Sequence, residues 1–172
     1  ATTIHFLYPV LVTLIMILFF HERKSIHIFL AVILSLTGVA LLCWSGNSVS
    51  FVGITFAIGT IFTYSVYIVG INKSGVGKID PLVLTFYILL VDAILFGLIA
   101  FSEPTGIEAI PDSDSLLRLL SLAFLSTAIS DLTLVLAVKY AGSTITSILG
   151  SMEPLVAVAV GIFYFSEDFG LN

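Results

Sequence analysis

Apolar residues gather in six long runs, 4–20, 28–44, 52–71, 82–101, 116–138 and 143–165, separated by short polar stretches. Each run holds roughly 17–23 residues, the length an α-helix needs to cross a hydrocarbon core of about 30 Å. Lipid offers no partner for backbone N–H and C=O groups, so runs of this length predict helices. The strict alternation of a membrane β-barrel is absent. Helices buried in a soluble bundle would show polar outer faces between their apolar stripes, and these runs do not. The pattern therefore predicts an all-α, polytopic membrane helical bundle with six transmembrane helices.

The loops give the runs a direction. Arg23 and Lys24 follow the first run, Lys73 and Lys78 the third, and Lys139 the fifth. Stretches 45–51 and 102–115 hold no Lys or Arg, and the second carries Glu103, Glu108, Asp112 and Asp114. Basic loops stay cytoplasmic, so the first run points inward and the direction alternates from there. Arg118, at the outer end of the fifth run, is the exception.

Composition reinforces this picture. Of the 172 residues, 59% are apolar and 10% charged, against about 25% charged in an ordinary soluble domain. The mean hydropathy of +1.19 leaves too little polar surface for a water-facing exterior. Six Lys and Arg residues are too few for a phosphate-tracking surface, so no nucleic acid is expected as a partner. The single cysteine, Cys43, forms no internal disulfide. No Cys/His cluster points to a metal site, and no cofactor is expected. The first run lacks the charged n-region of a signal peptide.

An internal repeat is written into the first and last runs. Tyr8-Pro9 is followed thirteen residues after the proline by Glu22, and Glu153-Pro154 by Glu167 at the same spacing. An offset of 145 residues then superposes LVTLIMILFF (11–20) on VAVAVGIFYF (156–165) without a gap. That offset spans five helix steps, an odd number, so the two proline-containing helices point opposite ways across the membrane. Inverted repeats of this kind are common in secondary transporters, whose substrate site lies at the repeat interface near the bilayer midplane. The alignment assigns residues 1–47 to the last two helices of a first repeat and 48–172 to the first four of a second. It predicts about three further helices, on the order of 95 residues, before Ala1 and one after Asn172. The implied whole is ten helices in two inverted sets of five.

With these motifs in place, YPVLVTLIMILFFHER (8–23) with GVALL (38–42), and SILGSMEPLVAVAVGIFYFSED (147–168), resemble the drug/metabolite transporter superfamily with EamA-like repeats. The resemblance covers the whole chain. It implies a carrier that moves a small metabolite, an amino acid or a toxic compound across the cell membrane by alternating access, with the lipid bilayer and a small-molecule substrate as its partners.

Ionisable groups inside a span are costly and mark functional candidates. Asp92 and Glu153 lie about 15 Å along their helices, near mid-bilayer, and Asp131 sits to the cytoplasmic side of centre. No Lys or Arg shares their depth, so such carboxyls are expected to stay neutral until a proton leaves or a cation arrives. Glu153 leads as a substrate- or proton-binding group because Pro154 removes a backbone donor and leaves a carbonyl free near Gly150. Pro9 and Pro154 are thus the expected helix breaks. Thr146, Gly150, Glu153, Ala157 and Gly161 make a small-residue face. Asp131 beside Ser130, Asp92 on the face of Thr85, Thr60 with Tyr64 and Tyr67, and Tyr8 as the repeat counterpart of Glu153 complete the candidates. A hydrogen-bonded structural role competes at each of these positions, and His5 reads as a structural histidine. Glu22 and Glu167 end equivalent helices and are expected as helix-end or gate groups.

Two rival functions are weaker. An intramembrane aspartyl protease would use Asp92 and Asp131 as a carboxylate pair sharing a proton. Yet GVGKID (75–80) is not a Gly-x-Gly-Asp sequence, and HERKSIH (21–27) spaces its histidines six apart rather than the four of a zinc-binding helix face. A passive channel fits poorly with paired, proline-broken helices, which suit alternating access. No enzymatic activity is expected.

Overall fold

The computed structural model describes residues 5–22, 26, 28–30, 32–34, 37, 51–102 and 110–166. The described residues are helical with no strand among them. Seven α-helical segments have defined bounds: α1 (Tyr8–Phe19), α2 (Phe51–Lys73), α3 (Pro81–Ser102), α4 (Ser113–Ser121), α5 (Ser130–Ala141), α6 (Ser143–Gly150) and α7 (Glu153–Phe165). Two compact units form, one within Ala1–Gly70 and Ala141–Asn172, the other within Ile71–Tyr140.

Among the described residues, four helices are long and apolar enough to cross a membrane: Phe51–Lys73, Pro81–Ser102, Ser113–Ala141 and Ser143–Phe165. They contain the last four of the six runs. Their surfaces are apolar where a soluble protein would be polar: Phe101 is 78% and Phe163 88% exposed. Exposed apolar area on this scale is suited to lipid rather than water. The first run yields a shorter helix, the 12 residues of α1. Its start is set by Pro9, whose ring blocks continuation from upstream but fits the first helical turn, where the missing N–H costs nothing. The described part of the second run is helical; Arg23, Lys24, Cys43, Glu103, Glu108, Glu167 and the repeat boundary at 47–48 lie outside the described residues.

Local chemistry fixes the helix ends of the unit within Ile71–Tyr140. Gly75 takes a left-handed φ of 86° and opens a 3₁₀ turn, Val76–Lys78. A side chain at Gly77 would come within 2.8 Å of the Ile71 carbonyl oxygen, so this turn needs glycine there. Asp80 then caps α3, its Oδ1 accepting from the Leu82 N–H at 2.9 Å, with Pro81 in first position. Asp112 caps α4 by accepting from the Ser115 N–H at 2.6 Å. Arg118, the exception to the loop-charge pattern, is bound at 2.6 Å to Asp114, one turn earlier and likewise exposed. A π-helical stretch, Leu122–Ile129, joins α4 to α5 within one continuous helix.

In the other unit, α1 and α6 pack against each other. The buried face of α1 comprises Tyr8, Pro9, Val12, Thr13 and Met16. That of α6 is entirely hydroxylic: Ser143, Thr144, Thr146 and Ser147. Ser65 and Ile68 of α2 are fully buried.

Candidate functional site

The last run is broken. α6 ends at Gly150, a turn occupies Ser151 and Met152, and α7 restarts at Glu153 with Pro154 in its first turn. Pro154 has no N–H to offer the Gly150 carbonyl. The Met152 N–H instead bonds the Leu149 oxygen at 3.0 Å, tightening the turn. This break lies across the small-residue face: Thr146 and Gly161 are buried and Gly150 half-buried, whereas Glu153 and Ala157 are exposed.

The same local backbone recurs 145 residues earlier. Leu7 precedes α1 with φ −80° and ψ −7°, and Met152 precedes α7 with φ −81° and ψ −8°. Past the other ends, His21 and Ser166 are, among the described residues, the two non-glycine residues with positive φ, at 54° and 53°. Tyr8 and Glu153 thus occupy matching first positions of matching helices. Glu153 sits at the positive end of the α7 dipole.

Aromatic side chains gather around Tyr8. Its ring meets Tyr64 edge-on at 4.8 Å between centroids and lies 5.4 Å from His5. His5 is 5.1 Å from Tyr64, and its Nδ1 is 3.2 Å from Thr60 Oγ1. Tyr67 continues the row 6.0 Å from Tyr64. T-shaped and tilted pairs of this kind suit the ring quadrupoles and hold the rings rigidly. The main chain is held too, since Ser65 Oγ donates to the Tyr8 carbonyl at 3.3 Å. The Tyr8 hydroxyl lies where a side chain at Gly150 would stand, so the ring end of α1 touches the C-terminal end of α6. Glu153 begins α7 three residues beyond Gly150. At the opposite end of α1, Thr144 donates to Glu22 Oε2 at 2.5 Å.

The candidate residues therefore separate. Tyr8, Thr60 and Tyr64, with His5, belong to one cluster, and Glu153 follows three residues after Gly150, which Tyr8 touches. Asp92 on α3 and Asp131 on α5 belong to the other unit, where Asp131 is half-buried and Asp92 is exposed. Glu167 is outside the described residues. Sequence reasoning missed Thr13, Ser65 and the buried hydroxyls of Ser143, Thr144 and Ser147. The visible signal was the run STITS (143–147), dense in hydroxyls at the start of an otherwise apolar segment. Among the described residues, no group of three or more His, Cys, Asp or Glu could hold a metal ion.

No curated protein and no solved structure matches the chain. The model of the EamA-like transporter family matches residues 51–172, more than half of the sequence. A helical chain with four membrane-length apolar helices, broken at a Glu-Pro pair and matched over that span, is a multi-pass membrane protein belonging to the EamA-like transporter family, of the drug/metabolite transporter type.

Proposed function

We propose that this protein is a cell-membrane carrier that moves a small metabolite, amino acid or toxic compound by alternating access, with Glu153 as the group that binds a proton or the substrate. The observation that carries this reading is the pairing of Glu153 with Tyr8. They start helices of matching backbone geometry, 145 residues apart in sequence; Tyr8 packs in the His5–Tyr64 aromatic cluster, and its hydroxyl reaches Gly150, three residues before Glu153. Such a pairing is what two inverted five-helix repeats, divided near residues 47 and 48, would bring to a midplane site. Thr60, Tyr64 and Tyr8 line the site, and Pro9 and Pro154 hold its helix breaks. Glu22 and Glu167 act at the helix ends as gate groups, the former through its bond to Thr144. Asp131 with Asp92 forms a second acidic candidate for substrate recognition.

The test is transport by the full-length protein in liposomes, with an imposed proton gradient and a panel of amino acids, organic cations and metabolites. Gradient-driven movement of one class is expected, with Glu153→Gln abolishing its pH dependence. Unchanged pH dependence in Glu153→Gln removes Glu153 from the mechanism. Peptide hydrolysis lost in Asp92→Asn or Asp131→Asn would replace the carrier with a protease.

A further inference from the structure

Three buried hydroxyls of the unit that contains α1 and α6 have no hydrogen-bond partner among the described residues: Thr13 of α1, and Ser143 and Thr146 of α6. They are 7%, 0% and 6% exposed. Thr85, in the other unit, shares this lack, but many hydroxyls on the described helices bond back to a carbonyl three or four residues earlier. Thr55, Thr63, Ser102, Ser121, Thr133 and Ser147 all do so. A desolvated hydroxyl without a partner is unfavourable, and a buried site with several of them is where ordered water belongs.

Two contacts fix how these hydroxyls are strung. Glu22 bonds Thr144 at one end, and Tyr8 covers Gly150 at the other, so α1 and α6 run antiparallel. Thr13 falls between Tyr8 and Glu22, and Ser143 and Thr146 stand one turn apart on the hydroxylic face of α6. The stretch from residue 143 to 150 rises about 10 Å. Three or four waters in hydrogen-bonded file, about 2.8 Å apart, cover that distance. Between the two contacts, residues 9–20 and 143–150 include no titratable side chain. Among the described residues, the titratable side chains at these two contacts are Glu22, preceded in sequence by His21, at one end, and Tyr8, with His5 and Tyr64 packed on its ring, at the other; Glu153 follows Gly150 by three residues. A metal cation is disfavoured at the Glu22 end, because the first N–H groups of α6 point their positive charge there.

We propose that the α1–α6 interface is a hydrated seam that passes protons between Glu22, at the cytoplasmic end, and the site of Tyr8 and Glu153. The proposal rests on the reading of Glu153 as a proton-binding group. The seam supplies what that group needs: alternating donors and acceptors with no fixed charge to trap a proton on the way. A proton is relayed along the waters and hydroxyls, each oxygen gaining an O–H bond from one side as it gives one up to the other, so that a proton lost by one carboxyl is gained by the other. No bond to the protein carbon skeleton changes.

The hydration and the proton transfer are tested separately on the full-length protein. Met16, 3% exposed, shares the buried face of α1 with Thr13, one turn away. X-ray-generated hydroxyl radicals in ¹⁸O-labelled water should oxidise Met16 in the wild type and in Thr13→Ser/Thr146→Ser. Labelling should drop about tenfold in Thr13→Val/Thr146→Val, in which the hydroxyls that hold the water are gone. A wild-type Met16 left unlabelled at a dose that labels it in unfolded protein overturns the proposal. Labelling suppressed by sodium but not by potassium or choline assigns the seam to a cation and also overturns it. For transfer, a pH jump followed by infrared detection of the Glu153 carboxyl band, identified by its loss in Glu153→Gln, should show protonation slowed about tenfold in the double valine variant and restored in the double serine variant. Unchanged rates overturn the path. A band that never titrates sinks the reading of Glu153 itself, while the Met16 result still stands on its own.

Discussion

Tyr8 and Gly150 are bound by volume. The Tyr8 hydroxyl fills the place of a Cβ at position 150, and Tyr8 is 3% exposed, so it has little room to retreat. Gly150→Ala is expected to destabilise the protein by about 1–3 kcal/mol, the usual cost of overpacking. Tyr8→Phe removes the overlapping oxygen and leaves the ring carbon beneath it at an ordinary 3.4 Å from that Cβ. In the Tyr8→Phe background the alanine should therefore cost much less. Thermal unfolding of the four variants gives the coupling, and additive losses would contradict the overlap. Neither partner advertised this contact in the sequence. Glycine at 150 read as one member of a small-residue face, and Tyr8 as the counterpart of Glu153.

At the scale of elements, most ends were legible and one interior was not. Asp80-Pro81 and Asp112 announce helix starts by their chemistry, and the described structure begins α3 and α4 there. The fifth run reads as an unbroken helix, and its apolar residues carry no trace of the π-helical stretch Leu122–Ile129. A π segment differs from an α segment by accommodating extra residue in the same rise, which hydropathy does not register. Deleting Ala123 should remove the extra residue and let the stretch relax to α-helix, with Asp131 keeping its orientation relative to α4. Membrane insertion and transport should both survive, measured by expression in membranes and by uptake, and loss of transport alone would show that the π stretch itself is needed. Asp112 supplies a pH test at the outer side. The Ser115 N–H bonded to it holds its carboxyl below the usual carboxylate range. Because folding lowers this pKa, the cap is fully present above the unfolded value and fades as pH falls through the folded one. The protection of the Ser115 amide, its exchange rate relative to the unfolded chain at the same pH, should fall in that acidic window, and Asp112→Ala should lack it at every pH.

The whole molecule shows why a repeat can be visible in sequence when its purpose is not. Proline and the following acidic residue lie in register 145 residues apart, and the left-handed φ of His21 and Ser166 continues the match beyond any shared residue type. Those two backbones agree although histidine and serine have nothing in common chemically, so no residue comparison could have found them. The topology drawn from basic loops makes its own prediction. A membrane-impermeant thiol reagent applied to intact cells should label cysteine placed at Ser113 and spare cysteine placed at Ser74, in a Cys43→Ala background. Labelling at Ser74 alone would invert the molecule.

The filled space between Tyr8 and Gly150 also works as a rule about ancestry. Two positions that compete for one volume cannot drift independently. In any relative that keeps this helix crossing, a side chain at position 150 should coincide with a shorter residue at position 8. Glycine at 150 frees position 8 to hold an aromatic ring. Such a trade, visible as paired change across many sequences, would mark the crossing of α1 and α6 without a single coordinate.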